Sequence, residues 1–274
     1  MNDPRLTPAR GDLAATHLRG QVEAERFVDG VAHQVRYGVS ALRETPSLSA
    51  RLETQALHGE IFVVYDVREG WAWGQCALDH YVGYVRAEDL SAEIIAPTHR
   101  VAALRSVQFP LPDLKSQPHA LLSCNAKVAI IESEAAFSRS ARGGWIPSAH
   151  LAPLKARACD WVASAERLVG APYLWGGKDS FGVDCSGLVQ TALETAGIDA
   201  PRDADLQEAE LGREIEFDAK RLARGDLLFW EGHVGIMANA THLLHANGFH
   251  MQTAIEPLSD AITRIGAPRR ARRF

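Results

Sequence analysis

Asp184-Cys185-Ser186-Gly187 stands where a glycine-rich turn, Trp175-Gly176-Gly177, gives way to a run with helical spacing. That run places Leu188, Ala192 and Ala196 on one side with Val189 and Leu193 beside them, and Gly197 supplies a C-terminal stop. A helix here is buried, and Cys185 lies just before it or in its first turn. Unpaired backbone N–H groups and the positive end of the helix dipole favour an anion at that place. The thiol pKa is therefore expected to fall, its nucleophilicity at neutral pH to rise, and iodoacetamide to label Cys185 ahead of Cys76, Cys124 and Cys159.

A nucleophile needs a base. Downstream, Gly225-Asp226-Leu227-Leu228-Phe229-Trp230 and His233-Val234-Gly235-Ile236-Met237 read as two strands joined by a tight turn at Glu231-Gly232. A third strand follows at Thr241-His242-Leu243-Leu244-His245-Ala246. His242 and His245 are offset by an odd number, so only one of them shares a given face. An antiparallel meander sets His233 beside one histidine of the next strand. Nucleophile at a helix start, base on a strand and orienting group on the next strand is the logic of a cysteine-peptidase triad, recognised by roles and not by spacing.

Blander readings carry weight. A free cysteine is usually a small buried hydrophobe, and a lone strand histidine is more often structural. The helix-start context of the cysteine and the histidines on adjacent strands move the balance. A zinc site is disfavoured, because the chain has neither C-x-x-C nor H-E-x-x-H and its four cysteines are scattered singly.

Five stretches resemble the NlpC-type cell-wall peptidase family, papain-like cysteine peptidases acting on peptidoglycan stem peptides. They are Ala171-Pro172-Tyr173-Leu174-Trp175-Gly176-Gly177, Val183-Asp184-Cys185-Ser186-Gly187-Leu188-Val189, Gly225-Asp226-Leu227-Leu228-Phe229, His233-Val234-Gly235-Ile236 and His245-Ala246. The resemblance covers about the last two-fifths of the chain. It implies Cys185 as nucleophile, His233 as general base and His245 as the residue orienting His233. It places Tyr173 beside the nucleophile, to hold substrate or oxyanion, and Asp184 and Ser186 where the substrate's N-terminal end is received. His242 and His250 match nothing in the pattern and read as structural or surface residues.

In the first half a faint repeat relates Val39-Ser40-Ala41-Leu42-Arg43 to Val101-Ala102-Ala103-Leu104-Arg105, and Gly83-Tyr84-Val85 to Gly144-Trp145-Ile146. Short strands in units of about 60 residues suggest small β-barrels. The first copy resembles a bacterial SH3-like domain through Gln55, Gly59-Glu60, Gly70-Trp71 and Asp79-His80-Tyr81-Val82-Gly83-Tyr84-Val85. The second keeps Gly143-Gly144-Trp145-Ile146-Pro147 and is degenerate. In relatives of this arrangement a tyrosine and an acid of the first barrel contact the free amine of an N-terminal L-alanine. By that resemblance Tyr81 and Glu60 are substrate-binding candidates. Near the N-terminus, Leu13, Leu18 and Val22 fit a helix face that Gly20 weakens, and an extended arm fits equally.

The chain has 274 residues, enough for two or three domains. A net charge of −5 argues against a nucleic-acid partner. The basic cluster Arg269, Arg270, Arg272, Arg273 reads as a solvated tail. No run approaches the roughly 20 apolar residues of a spanning helix, and the first ten residues hold no apolar leader core. With cysteines in no framework spacing, the expectation is a cytoplasmic protein with no membrane partner.

The expected fold is α+β. An arm spans 1–35, SH3-like barrels span 36–92 and 93–155, and a papain-like domain of helices packed on an antiparallel sheet spans 156–274. The resemblance implies an endopeptidase that cuts the γ-D-glutamyl bond to diaminopimelate or lysine in peptidoglycan-derived peptides, during recycling. It requires no metal and no organic cofactor, and it leaves the oligomeric state open. The rivals are a non-catalytic binder of cell-wall peptides and an acyl or amide transferase on the same scaffold.

Overall fold

β-Branched and aromatic residues at alternate positions suit a pleated, half-buried surface, and they build most of the N-terminal half. The computed structural model describes residues 3–274, so the first two residues of the expected arm lie outside the described residues. Two compact units divide at Leu154/Lys155. In the first unit, seven strands form one antiparallel sheet. Their order is Leu52–Leu57, Val39–Arg43, Val82–Arg86, Trp71–Cys76, Ile61–Arg68, Val31–Val35, Leu90–Ser91. Val35, Leu42, Phe62, Val64, Tyr81 and Val85 fill its core. The strand Val31–Val35 was expected in the arm. It belongs to this sheet, because Val35 is fully buried among the apolar residues of that core and Gln34 pairs with Ile61.

Among its described residues the arm before it forms no α-helix. It carries two-residue strands at Ala14–Ala15 and Phe27–Val28 and a 3-10 turn at Thr16–Leu18. Side-chain chemistry pins it. The Arg10 guanidinium lies 4.3 Å from the Trp73 ring, 2.7 Å from Asp66 and 3.0 Å from the Tyr84 hydroxyl.

Shorter strands follow, in sheets of three, two and three, around Val101, Leu122, Ala126, Val128 and Ile146. The repeat survives as a motif. The 3-10 turn Ala87–Asp89, followed by Leu90–Ser91, recurs 61 residues on as Ser148–His150, followed by Leu151–Pro153. The single continuous sheet of the first copy does not recur.

The second unit places three helices before its main sheet: α1 (Trp161–Glu166), α2 (Cys185–Thr195) and α3 (Ala204–Glu210). Then come β1 (Arg213–Ile215), β2 (Leu227–Trp230), β3 (His233–Met237), β4 (His242–Asn247), β5 (Gln252–Pro257), α4 (Leu258–Ile265) and β6 (Arg270–Arg273). The antiparallel sheet runs β1-β6-β2-β3-β4-β5. Both faces are apolar. Leu228, Trp230, Met237 and Leu243 cluster with Leu258 and Ala261 of α4. Leu227, Phe229, Val234, Ile236, Leu244 and Ala246, one residue out of phase, are also buried. α2 packs on β3 and β4 through fully buried Leu188, Val189 and Leu193, each contributing about 1.5–3 kcal/mol by burial.

The arginine cluster is no tail. Arg270–Arg273 form β6, hydrogen-bonded between β1 and β2, with Ala271 fully buried. The charges are satisfied locally. Arg273 reaches the buried Asp226 carboxylate at 2.6 Å, Arg269 pairs with Glu208, and Arg272 donates to the Leu211 and Gly212 carbonyls. An arginine run can enter a sheet when each guanidinium has such an acceptor.

Candidate active site

Cys185 is the first residue of α2, and Asp184 is its N-cap. One Asp184 oxygen accepts from the N–H of Gly187 at 2.7 Å, as a capping carboxylate does at the third helical position. The other accepts from Gly176 N–H at 2.8 Å, which ties the glycine turn to the helix start. This closeness dictates glycine at 187: a Cβ there would meet the Gly177 carbonyl oxygen at 2.1 Å. The helix ends as its sequence suggests, with Gly197 at φ +74°.

β2 and β3 form a hairpin whose turn residue Gly232 sits at φ +67°, open to glycine at no Cβ cost. The strand therefore starts at His233, and the Cys185 thiol accepts from the N–H of the next residue, Val234. On β4 the alternation separates the two histidines. His245 points to His233, with Nδ1 2.9 Å from His233 Nε2. His242 turns away and bonds Thr241 and Asn239 at the strand's exposed start. His250, on the turn after β4, bonds Asn247 and stands with its ring centre 6.3 Å from that of His245.

The expected low thiol pKa is not found. Burial, and then the Asp184 carboxylate, push the Cys185 thiol up to about 12; the Val234 N–H and Arg202 oppose this only in part. Burial likewise pushes His233 down to about 4, helped by His245 and Arg264. At rest the thiol and the imidazole are thus both neutral. The correction extends to labelling, because Cys159 is exposed while Cys185 is buried and protonated. Free iodoacetamide is then expected to find Cys159 first.

Tyr173 is also raised to about 12, by burial and by the nearby Cys185 and Asp184. Its phenol stays protonated and can donate to an oxyanion. Ser186 lies in the first turn of α2 and bonds Asp184 and Arg202. In the first unit, Tyr81 is a core residue whose hydroxyl lies 3.5 Å from Glu53. Glu60 is buried at a turn, accepting from Leu57 N–H at 3.0 Å with Lys127 at 3.6 Å.

Two features were missed from sequence. Arg202, fully buried, clamps Asp184 with contacts of 2.9 and 2.7 Å and also donates to Ser186 and Gly177. It sits in the loop before α3, where no periodicity marks it. Glu256 on β5 accepts from His245 Nε2 at 2.7 Å and is held by Arg264 of α4. Its signal is alternation: Glu256 pairs with Leu243 and Ala254 with His245, on one face of neighbouring strands.

A cavity of about 530 Å³ opens beside the two histidines, lined by Trp230, Glu231, Phe249, Arg264 and Arg269 among others. Among the described residues, His245, His250 and Glu256 could hold a metal, with ligand atoms within 4.8 Å of one another. His245 and Glu256 already bond each other, and the Arg264 cation occupies the carboxylate. A metal would have to displace that cation.

Residues 170–264 match the NlpC/P60 family model and residues 42–90 the bacterial dipeptidyl-peptidase SH3 domain model. Dipeptidyl-peptidase 6 of Lysinibacillus sphaericus is 41% identical over 86 residues, 31% of each chain. A gamma-D-glutamyl-L-lysine dipeptidyl-peptidase of Bacillus subtilis (strain 168) is 37% identical over 100 residues, 34% of this chain and 33% of that one. The matched stretches thus span about a third of these relatives' length. A crystal structure of an NlpC/P60 family protein from Bacillus cereus ATCC 10987 aligns with 89% of this chain and 99% of its own. The TM-score is 0.75 and the identity 20%, a likeness of fold.

Proposed function

We propose that this chain, with its NlpC/P60 match, is a cysteine endopeptidase. It hydrolyses the bond between γ-D-glutamate and diaminopimelate or lysine in peptidoglycan stem peptides. The observation that carries the reading is the alignment of Cys185 at a helix start, the His233 strand start beside it and His245 behind His233. His233 takes the thiol proton as sulfur attacks the γ-glutamyl carbonyl, and the amine leaves. Water then releases the acyl-enzyme. The N–H groups of Cys185 and Ser186 at the start of α2 and the protonated Tyr173 are the oxyanion donors in this reading.

Relatives named for releasing dipeptides support a substrate with a free amino terminus two residues from the cut. We assign the enzyme to free muropeptides with N-terminal L-alanine, in cytoplasmic recycling. The four cysteines, all free, fit a reducing compartment. Mass spectrometry of digests decides. L-Ala-γ-D-Glu-diaminopimelate should yield L-Ala-γ-D-Glu and the diamino acid, with the N-acetylated peptide intact. Intact free peptide would leave a binding protein, and a product joined to an added amine would mark a transferase.

The neutral pair sets the pH dependence. His233 acts only when unprotonated, so a lowered pKa carries activity to lower pH. kcat/KM should stay level through pH 6.5, the ordinary histidine value, and bend near His233's own value of about 4. A bend at 6.5 or above, in enzyme still folded by circular dichroism, would contradict the neutral pair.

A further inference from the structure

We infer that Glu256, gripped by Arg264, fixes which nitrogen of His233 is the base, acting through His245 as a positioning residue. The geometry stands alone; its consequence for turnover rests on the peptidase reading above.

A carboxylate only accepts hydrogen bonds. Burial would raise the Glu256 carboxyl, but the bonds from Arg264 and His245 win and hold it below its ordinary value, so it is ionised. His245 Nε2, 2.7 Å from Glu256 Oε1, must therefore carry a proton. Burial, against the pull of Glu256, keeps His245 below the ordinary histidine pKa. A neutral imidazole with Nε2–H has a lone pair at Nδ1. That lone pair lies 2.9 Å from His233 Nε2, and two lone pairs cannot face each other at that distance. His233 Nε2 then carries the proton and donates. His233 is neutral too, so its lone pair is at Nδ1.

The direction of both hydrogen bonds is thus set at the far end, by a group two rings from the base. When the thiol S–H bond breaks, the new N–H bond forms at His233 Nδ1. The imidazolium keeps its Nε2–H on His245, and its charge faces the ionised Glu256 beyond. The charged and titratable groups around His245 are His233 on β3, Glu256 on β5, Arg264 on α4 and His250 on the turn after β4. His250 is itself bonded to Asn247, which leaves Glu256 as the acceptor for Nε2.

Arg264 makes the idea testable. It donates to both Glu256 oxygens, and Oε1, which faces His245, is one of them. In Glu256→Gln an amide oxygen at that place serves both donors, whereas an NH₂ group there would face two, so His245 keeps its Nε2–H and His233 its Nδ1 lone pair. Reversing the ion pair, Glu256→Lys/Arg264→Glu, puts a group that only donates against His245 Nε2. His245 must then accept at Nε2 and carry its proton at Nδ1, and His233 must accept at Nε2 and carry its own at Nδ1.

In the full chain with ¹⁵N-labelled histidine, NMR should show His233 protonated at Nε2 in the wild type, in Glu256→Asp and in Glu256→Gln, and at Nδ1 in Glu256→Lys/Arg264→Glu. In the reversed pair kcat on the free tripeptide should fall about 10³–10⁴-fold, as for other wrong-tautomer variants, with KM changed less than about threefold; in Glu256→Gln it should stay within about tenfold of wild type. A merely structural ion pair would be restored by the reversal, and activity with it. An unchanged His233 tautomer in the reversed pair, or a flipped one in Glu256→Gln, overturns the inference. A tautomer that flips in a protein cleaving no γ-glutamyl peptide keeps the inference and removes the peptidase reading.

Discussion

Cys185→Ala should lower turnover by roughly 10⁵–10⁶-fold, and His233→Ala should do the same. The equality follows from the resting protonation state. With the thiol pushed up to about 12, the thiolate fraction at neutral pH is on the order of 10⁻⁵, so the sulfur is inert until a base takes its proton. A cysteine with a depressed pKa would retain much of its reactivity without the histidine. This one would not, and nucleophile and base act as one unit. The double variant Cys185→Ala/His233→Ala should therefore cost no more than either single change. His242→Ala is the internal control, since its ring bonds only the Asn239–Thr241 corner; it should leave kcat within about twofold. Turnover by Cys185→Ala above about 1% of wild type would end the nucleophile assignment. Additive losses in the double variant would separate the two residues.

Local chemistry was legible where a side chain's role is decided by its neighbours in the chain. The Gly176-Gly177 turn, the helix start at Cys185 and the stop at Gly197 are short-range features, and the alternation along β4 separates His245 from His242. Balances of opposing long-range effects were not legible. The helix start favours a thiolate at Cys185, yet burial and the Asp184 charge outweigh it, and neither can be weighed without the packed site. Charges whose partners lie far along the chain were hidden as well. Arg202 is 18 residues from Asp184, and Arg273 is 47 from Asp226. An arginine cluster reads as a solvated tail until the acceptors that draw it into the sheet are known.

Arg202→Met should destabilise the second unit by about 3–5 kcal/mol, because it leaves the Asp184 carboxylate buried without its counter-charge. Arg202 is 0% exposed, so water cannot screen the loss. The carboxylate would keep its N–H bonds from Gly176 and Gly187, which hold its position and offset only part of its desolvation. For a unit of this size the melting transition should drop by roughly 10–20 °C. Adding Asp184→Asn to Arg202→Met should recover stability, since asparagine still caps the helix and no charge remains buried. Single loss and double recovery together are the signature of an ion pair whose breakage costs more than its absence. Function should not follow stability. The double variant should fold yet turn over slowly, because the Asp184 oxygen that held Gly176 N–H would be replaced by an amide NH₂, loosening the glycine turn against Cys185. A loss under 1 kcal/mol in Arg202→Met, measured by denaturant unfolding, would show that the pair is no clamp. A double variant less stable than the single would place the value of Asp184 in its N–H bonds and not in its partner.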